Sequence, residues 1–318
     1  MMASSVEPTE IDRVAGALRQ MGADSAVLTS SEIAHMVAIG RNLVSLREIP
    51  GVSLQVTGGP EDISVCLKLE REKKITNPIH LCVGVLEKSG TQRIKIDVRA
   101  AQRSAATLMA HCFFPAAVNV EHTMDALVDL ETEAELHYLE GHYHGPWGGV
   151  TVLPKAQVRV GPRARFFADF SLITGRVGKL GIKYHVEAQA DAIVELSSRV
   201  FGHATDEIKI EEEVVLAGKS SRGLVKIRVA LEDHATAEVT GMTAGNAEGA
   251  RGHVDCMEIV KDHAVARAIP VVSVTHPLAK VTHEAAIGSI DKKQLETLMA
   301  RGVTPERAVD MIVRGILR

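Results

Sequence analysis

Cys256, His283 and Glu284 are the residues of this 318-residue chain best suited to hold a soft or borderline metal. Cys256 stands in the alternating run DCMEIV, and His283-Glu284 ends the last such run before the sequence turns helical. His263 and His276, with Pro270 and Pro277, lie between them. Thiolate, imidazole and carboxylate together make a donor set for zinc, iron and related ions. Cys256 and Glu284 are 28 residues apart, and Arg228 precedes Cys256 by the same 28, which suggests a coil period. In stacked strand coils of roughly 20–50 residues, that spacing would make Cys256 and Glu284 neighbours about 4.8 Å apart across a sheet.

A second constellation is Glu140, His142 and His144 in LHYLEGHYHG. His142 and His144 project to one side of a strand, an arrangement that binds divalent metals in cupin-like barrels. A turn carrying solvent-facing histidines would give the same string. Cys66, Cys82 and Cys112 each sit in an apolar strand and read as core fillers. Lys226 and Arg228 are placed to line the approach to Cys256, where positive charge favours a thiolate, or to snorkel at the surface. Glu211-Glu212-Glu213 reads as a solvated strand edge and turn. No GxxxxGK[ST] phosphate loop occurs, so the chain carries no ATPase site of that kind.

The elements that position these residues follow from hydrophobic period. Residues 8–22 predict an amphipathic helix capped by Thr9, with Ile11, Val14, Leu18 and Met21 on one face and Gly22 at its end. A second helix is expected from Ser30 or Ser31 to Gly40, with Ile33, Met36 and Val37 inward. From about residue 52 the period becomes two: ISVCLKLE places Ile63, Val65, Leu67 and Leu69 on one face, and short strands separated by Gly, Pro or Asp continue to Gly288. After Gly288 the helical period returns. Asp291 and Gln294 mark one start, and Thr304-Pro305 marks another, predicting a helical hairpin. The organisation expected is an N-terminal helical segment (1–51), a β core (52–288) forming one solenoid, and a C-terminal helical hairpin (289–318).

Composition narrows the class. A net charge of −4 with no basic block argues against nucleic acid or an anionic membrane as partner. The N-terminus lacks a signal-peptide pattern, and no run reaches the ~20 apolar residues of a membrane span. Four cysteines without a CxxC suit a reducing cytoplasm. Only 3% aromatic residues beside 26 glycines suits thin coils filled by Val, Ile, Leu and Ala rather than a sandwich.

SRGLVKIRVA (221–230), DCMEIVKD (255–262) and THEAAIGSIDKKQLETLMARGVTPERAVDMIVRGIL (282–317) together resemble the SufB/SufD family of iron–sulfur cluster assembly scaffolds. The resemblance implies a right-handed parallel β-helix flanked by helical segments. It implies a non-enzymatic scaffold that holds a transient iron–sulfur cluster. Its implied partners are an SufC-like ABC ATPase docked on the C-terminal helices, a homodimer or SufB/SufD-like heterodimer mate, and iron–sulfur acceptor proteins. Cys256 falls on the cysteine of the SufB motif associated with the nascent cluster, His283 on the histidine shared by SufB and SufD, and Glu284 on the adjacent SufB glutamate. Taken alone, a cysteine in an apolar strand is more often a core filler; the resemblance reverses that reading for Cys256. Two departures stand out: Thr282 replaces a further glutamate, and His142 stands where a sulfur-accepting cysteine is expected. The N-terminal region is also short, which implies a compact, self-pairing branch. A metal-dependent cupin-like enzyme using His142 and His144 is the competing reading.

Overall fold

Alternation of apolar and polar residues commits each strand to one inward and one outward face, and here the inward faces of two sheets meet. The computed structural model describes residues 9–20, 22, 24–58 and 62–317. Two short hairpins come first: β1 (His35–Ile39) with β2 (Asn42–Arg47), and β3 (Val52–Gly58) with β4 (Ile63–Leu69). The coil then winds through β5 (Ile79–Gly84), β6 (Ser89–Ala100), β7 (Ala105–Phe114), β8 (Asn119–Leu130) and β9 (Glu135–His144). It continues as β10 (Val150–Val160), β11 (Arg165–Thr174), β12 (Gly178–Ala188), β13 (Ile193–Gly202) and β14 (Glu207–Leu216). The last coils are β15 (Arg222–Leu231), β16 (Thr236–Gly245), β17 (Arg251–Val260), β18 (Val265–Val274) and β19 (Lys280–Gly288).

From β5 onward, strands alternate between the sheets. One sheet has ten strands in the order β19-β17-β15-β13-β11-β9-β7-β5-β1-β2, and the other has nine in the order β18-β16-β14-β12-β10-β8-β6-β4-β3. Apart from the two hairpins the pairings are parallel, so this is the expected solenoid and not an antiparallel barrel. One continuous apolar core runs inside it from Ala34 to Cys256. Ile63, Val65, Leu67 and Leu69 all point into it as expected. Several two-residue corners place a non-glycine residue in the left-handed region, among them Glu72, Arg103, Glu133, Arg163 and Asp191. Exposed ion pairs such as Arg163–Glu133, 2.8 Å apart, link successive corners.

Three helices flank the coils. In α1 (Glu10–Gln20), the Thr9 hydroxyl accepts from the Asp12 backbone N–H and the Asp12 carboxylate accepts from Thr9 N–H, a reciprocal cap. Its Val14 and Leu18 cover the outer face of the ten-stranded sheet at Val37, Cys82 and Phe113. Ile11, expected on that face, is exposed instead, and Met21 lies outside the described residues. The helix expected over 30–40 is absent: that stretch forms β1 after a 3-10 turn, Ser25–Leu28. The physical reason is burial on both faces, because α1 covers one side of β1 and the core covers the other, which erases the strand period.

At the other end, α2 (Lys292–Met299) is capped by Asp291 and α3 (Pro305–Ile316) by Thr304, as the sequence predicts. The hairpin folds back along the solenoid, with Val313 and Leu317 packed on Phe201 and Ala230. Among the described residues, therefore, no helix covers the last coil against solvent. Val265 is 61% exposed, Leu278 65% and Ile287 49%, so this end of the solenoid is open. Among the described residues no helix is long and apolar enough to cross a membrane.

Candidate functional site

Cys256 occupies an inward position of β17, between Ile227 of β15 and Ala285 of β19. It is 1% exposed. Gly241, on β16 of the facing sheet, leaves its sulfur room: a Cβ there would lie 3.3 Å from Sγ. Burial pushes the Cys256 thiol up to about 12, and the nearby carboxyls of Glu258 and Glu212 add to the rise. Of Lys226 and Arg228 only Arg228 acts to lower the thiol, and its effect is the smallest of those on Cys256, so the rise prevails. Both occupy outward positions of β15, and Arg228 is taken up by Asp255 on the outer face.

The ladder steps by 29 residues here, not 28. Asp255 pairs with Glu284 and Cys256 with Ala285, so a slip of one residue places Glu284 on the opposite face from Cys256. His283 pairs with Val254 and keeps the inward parity of Cys256. Both His283 and Glu284 are exposed, because β19 is the edge strand of the open end. His263 instead stacks on His234 at a corner, with ring centroids 5.1 Å apart, and His276 accepts from the Leu278 N–H.

Two glutamates join Cys256 that sequence reasoning missed. Glu212, expected on a solvated edge, instead follows Ile208 and Ile210 on the inward row of β14 and is 1% exposed; of the triplet only Glu211 and Glu213 face outward. Its Oε1 accepts from the buried Ser198 hydroxyl. Glu258 is fully buried, and neither of its oxygens has a protein partner. Burial pushes both carboxyls up to about 7. Strict parity counting along IKIEEEVVL would have turned Glu212 inward from sequence alone.

Glu140, His142 and His144 are likewise interior, not a solvent-facing turn. They lie on the inward row of β9, each no more than 5% exposed. Glu140 Oε2 accepts hydrogen bonds from the Tyr138 and Tyr184 hydroxyls at 2.8 and 3.0 Å. His142 Nε2 lies 2.8 Å from Glu140 Oε1, and His142 Nδ1 lies 3.2 Å from His144 Nε2. Cys112 is the ladder partner of His142 on β7, and ligand atoms of Cys112, Glu140 and His142 all lie within 4.8 Å of one another. A cupin-like arrangement needs a barrel mouth open to substrate; parallel coils filled by core residues supply none at this position. Cys66 is not the expected core filler: it takes the outward parity of β4, opposite to Val65 and Leu67, and is only half-buried, whereas Cys82 is packed beneath α1.

Residues 98–316 match the family described as SUF system FeS cluster assembly, SufBD core domain. A Methanocaldococcus jannaschii protein named as an iron-sulfur cluster assembly SufBD family protein is 35% identical over 277 residues, covering 86% of this chain and 87% of the relative. A Pyrococcus horikoshii protein of the same designation is 30% identical over 299 residues, covering 94% and 91%. The iron-sulfur cluster assembly protein SufB of Bacillus subtilis is 33% identical over 72 residues, 22% of this chain and 16% of that one.

Proposed function

The chain belongs to the SufBD family of iron–sulfur cluster assembly proteins, and we propose that it is the scaffold on which a cluster is put together and then released. The observation that carries this reading is the position of Cys256 one coil from the open end, with His283 on the same inward row of the last strand. Cys256, His283 and Glu284 are the proposed donors to the cargo. A stable iron–sulfur centre uses four thiolates. One thiol supplemented by imidazole and carboxylate holds a cluster less tightly, which suits transfer to an acceptor protein. The cargo displaces the thiol proton, because the thiolate is the form that binds iron. The role is one of holding and handing on, without catalysis by the chain itself.

Two partners follow. A second copy packing against the open end would cover the exposed edges of β18 and β19 and double the donor set about a two-fold axis. An SufC-like ABC ATPase would dock on α2 and α3, whose outer surface carries exposed Lys292, Lys293, Arg301, Glu306 and Arg307 beside the exposed Met299 and Met311. The test is anaerobic incubation of the purified chain with ferrous iron and sulfide. Sulfide-to-iron charge-transfer absorption that survives desalting supports the scaffold; a colourless protein after desalting refutes it.

A further inference from the structure

The hydrogen bonds around His142 leave a position that calls for a cation. His144 Nδ1 faces the backbone carbonyl of Arg176 at 3.2 Å, and a carbonyl can only accept, so that nitrogen carries the proton. In its neutral form His144 Nε2 is then an acceptor, and His142 must donate to it from Nδ1. That assignment turns the lone pair of His142 Nε2 toward Glu140 Oε1, 2.8 Å away. Two acceptors at this distance need a proton or a metal ion between them. The second oxygen of Glu140 is fixed by the two tyrosine hydroxyls, so the carboxylate is oriented by the kind of outer shell that serves metal ligands. Cys112 brings a sulfur to the same point.

An independent observation points to the same place. His122 projects from β8 on the facing sheet, is 1% exposed, and has no hydrogen-bond partner at either ring nitrogen. Its ring centroid is 6.1 Å from that of His142. A buried imidazole with both nitrogens idle is costly, and a nitrogen ligating a metal removes part of that cost.

We propose that the solenoid interior contains a second site, separate from Cys256, that binds one divalent transition-metal ion of the zinc or ferrous type through Cys112, Glu140 and His142; His122, outside that close set, reaches it as fourth donor by a side-chain rotation. Sulfur, nitrogen and oxygen donors in one set select borderline ions over magnesium or calcium. Thiolate and carboxylate together balance the two positive charges of the ion, so the loaded site is neutral in an apolar interior. His144, Tyr138 and Tyr184 are positioning residues. The site ties two coils to the facing sheet midway along the solenoid, and it stands whether or not the cluster assignment at Cys256 holds.

Cobalt(II) tests the site with an optical readout. The full-length Cys256→Ser protein, with the proposed cargo thiol removed, is loaded with cobalt(II) and desalted. Expected are one equivalent of cobalt per chain, near-ultraviolet thiolate-to-cobalt absorption and a raised melting temperature. Cys112→Ala in this background should abolish the thiolate band. His142→Gln should weaken metal affinity at least about tenfold, and it serves as the decisive variant if Cys112→Ala fails to fold by circular dichroism. A folded Cys256→Ser protein that takes up no cobalt overturns the proposal. So does a thiolate band that persists in folded Cys112→Ala, or cobalt affinity unchanged in His142→Gln.

Discussion

Cys256 lies beside Ala285 in the parallel ladder, and this leaves Glu284 beside Asp255 on the other face of the sheet. Within one chain the thiol and the carboxylate therefore do not converge as the side chains of a single row would. Both do lie next to the open end, where a second copy can complete the donor set. Introducing charge there, as Val274→Glu with Leu278→Glu, should give a monomer by sedimentation. It should also lower the iron and sulfide retained per chain several-fold while leaving circular dichroism unchanged. A variant that stays dimeric, or a monomer that retains the full complement, contradicts the end-to-end pairing.

The helical hairpin makes a separate prediction. Its apolar side is engaged with Phe201 and Ala230, so the charged outer side is the part free to meet an ATPase. Reversing Lys292, Lys293, Arg301 and Arg307 to Glu should abolish co-purification with the ATPase and shift the melting temperature little, since all four are exposed. Undiminished co-purification would move the docking surface elsewhere.

Much of this fold can be read from alternation alone, because each inward row of β6 to β17 meets the core on one side only. Reading fails where that asymmetry disappears. Met36 to Ile39 lie between α1 and the core, and their all-apolar run imitates a helix through Ile33, Met36 and Val37. The coil period also resists reading, since left-handed corners carry Glu, Arg, Asp or Ala in place of glycine. Without the corner length, 28 and 29 residues look alike, and that one residue decides which face Glu284 occupies. The same parity hid Glu212 within an acidic triplet, and it hid the pairing of Cys112 with His142 across a 30-residue coil.

Close backbone approach sets a packing prediction. Gly175 has φ +84°, and a Cβ there would lie 1.8 Å from the backbone oxygen of His144. Gly175→Ala should cost about 2–4 kcal/mol, because neither backbone can yield easily. Gly16 within α1 has open space around it, and Gly16→Ala should instead stabilise by roughly 0.5–1 kcal/mol. Urea unfolding of the two variants checks the contrast.

The interior carboxyls predict a pH dependence. Glu212 and Glu258 are raised from 4.5 to about 7 by burial. Their contribution to stability is fully present below pH 4.5 and is lost as pH rises through about 7. His80 and His111 are lowered to about 4, and His122 to about 3, again by burial. Their contribution runs the other way, present above pH 6.5 and lost as pH falls. The double variant Glu212→Gln, Glu258→Gln removes only the first effect. Its stability relative to the parent should rise between pH 4.5 and 7, with a limiting slope of about 1.4 kcal/mol per pH unit for each carboxyl, and then level off. A parent-minus-variant difference that stays flat over that range would show that these carboxyls do not titrate as their burial requires.

The central claim is that Cys256 is the thiol on which the cargo cluster is held. The most direct measurement is the iron and acid-labile sulfide retained after anaerobic reconstitution and desalting, compared between the parent chain and Cys256→Ser. Serine is nearly isosteric but lacks the soft donor that iron with sulfide prefers. The account predicts loss of cluster absorption and of bound sulfide in Cys256→Ser, smaller losses in His283→Ala and Glu284→Ala, and no loss in Cys66→Ala or Cys82→Ala. A folded Cys256→Ser protein that assembles a cluster at the parent's yield would contradict it.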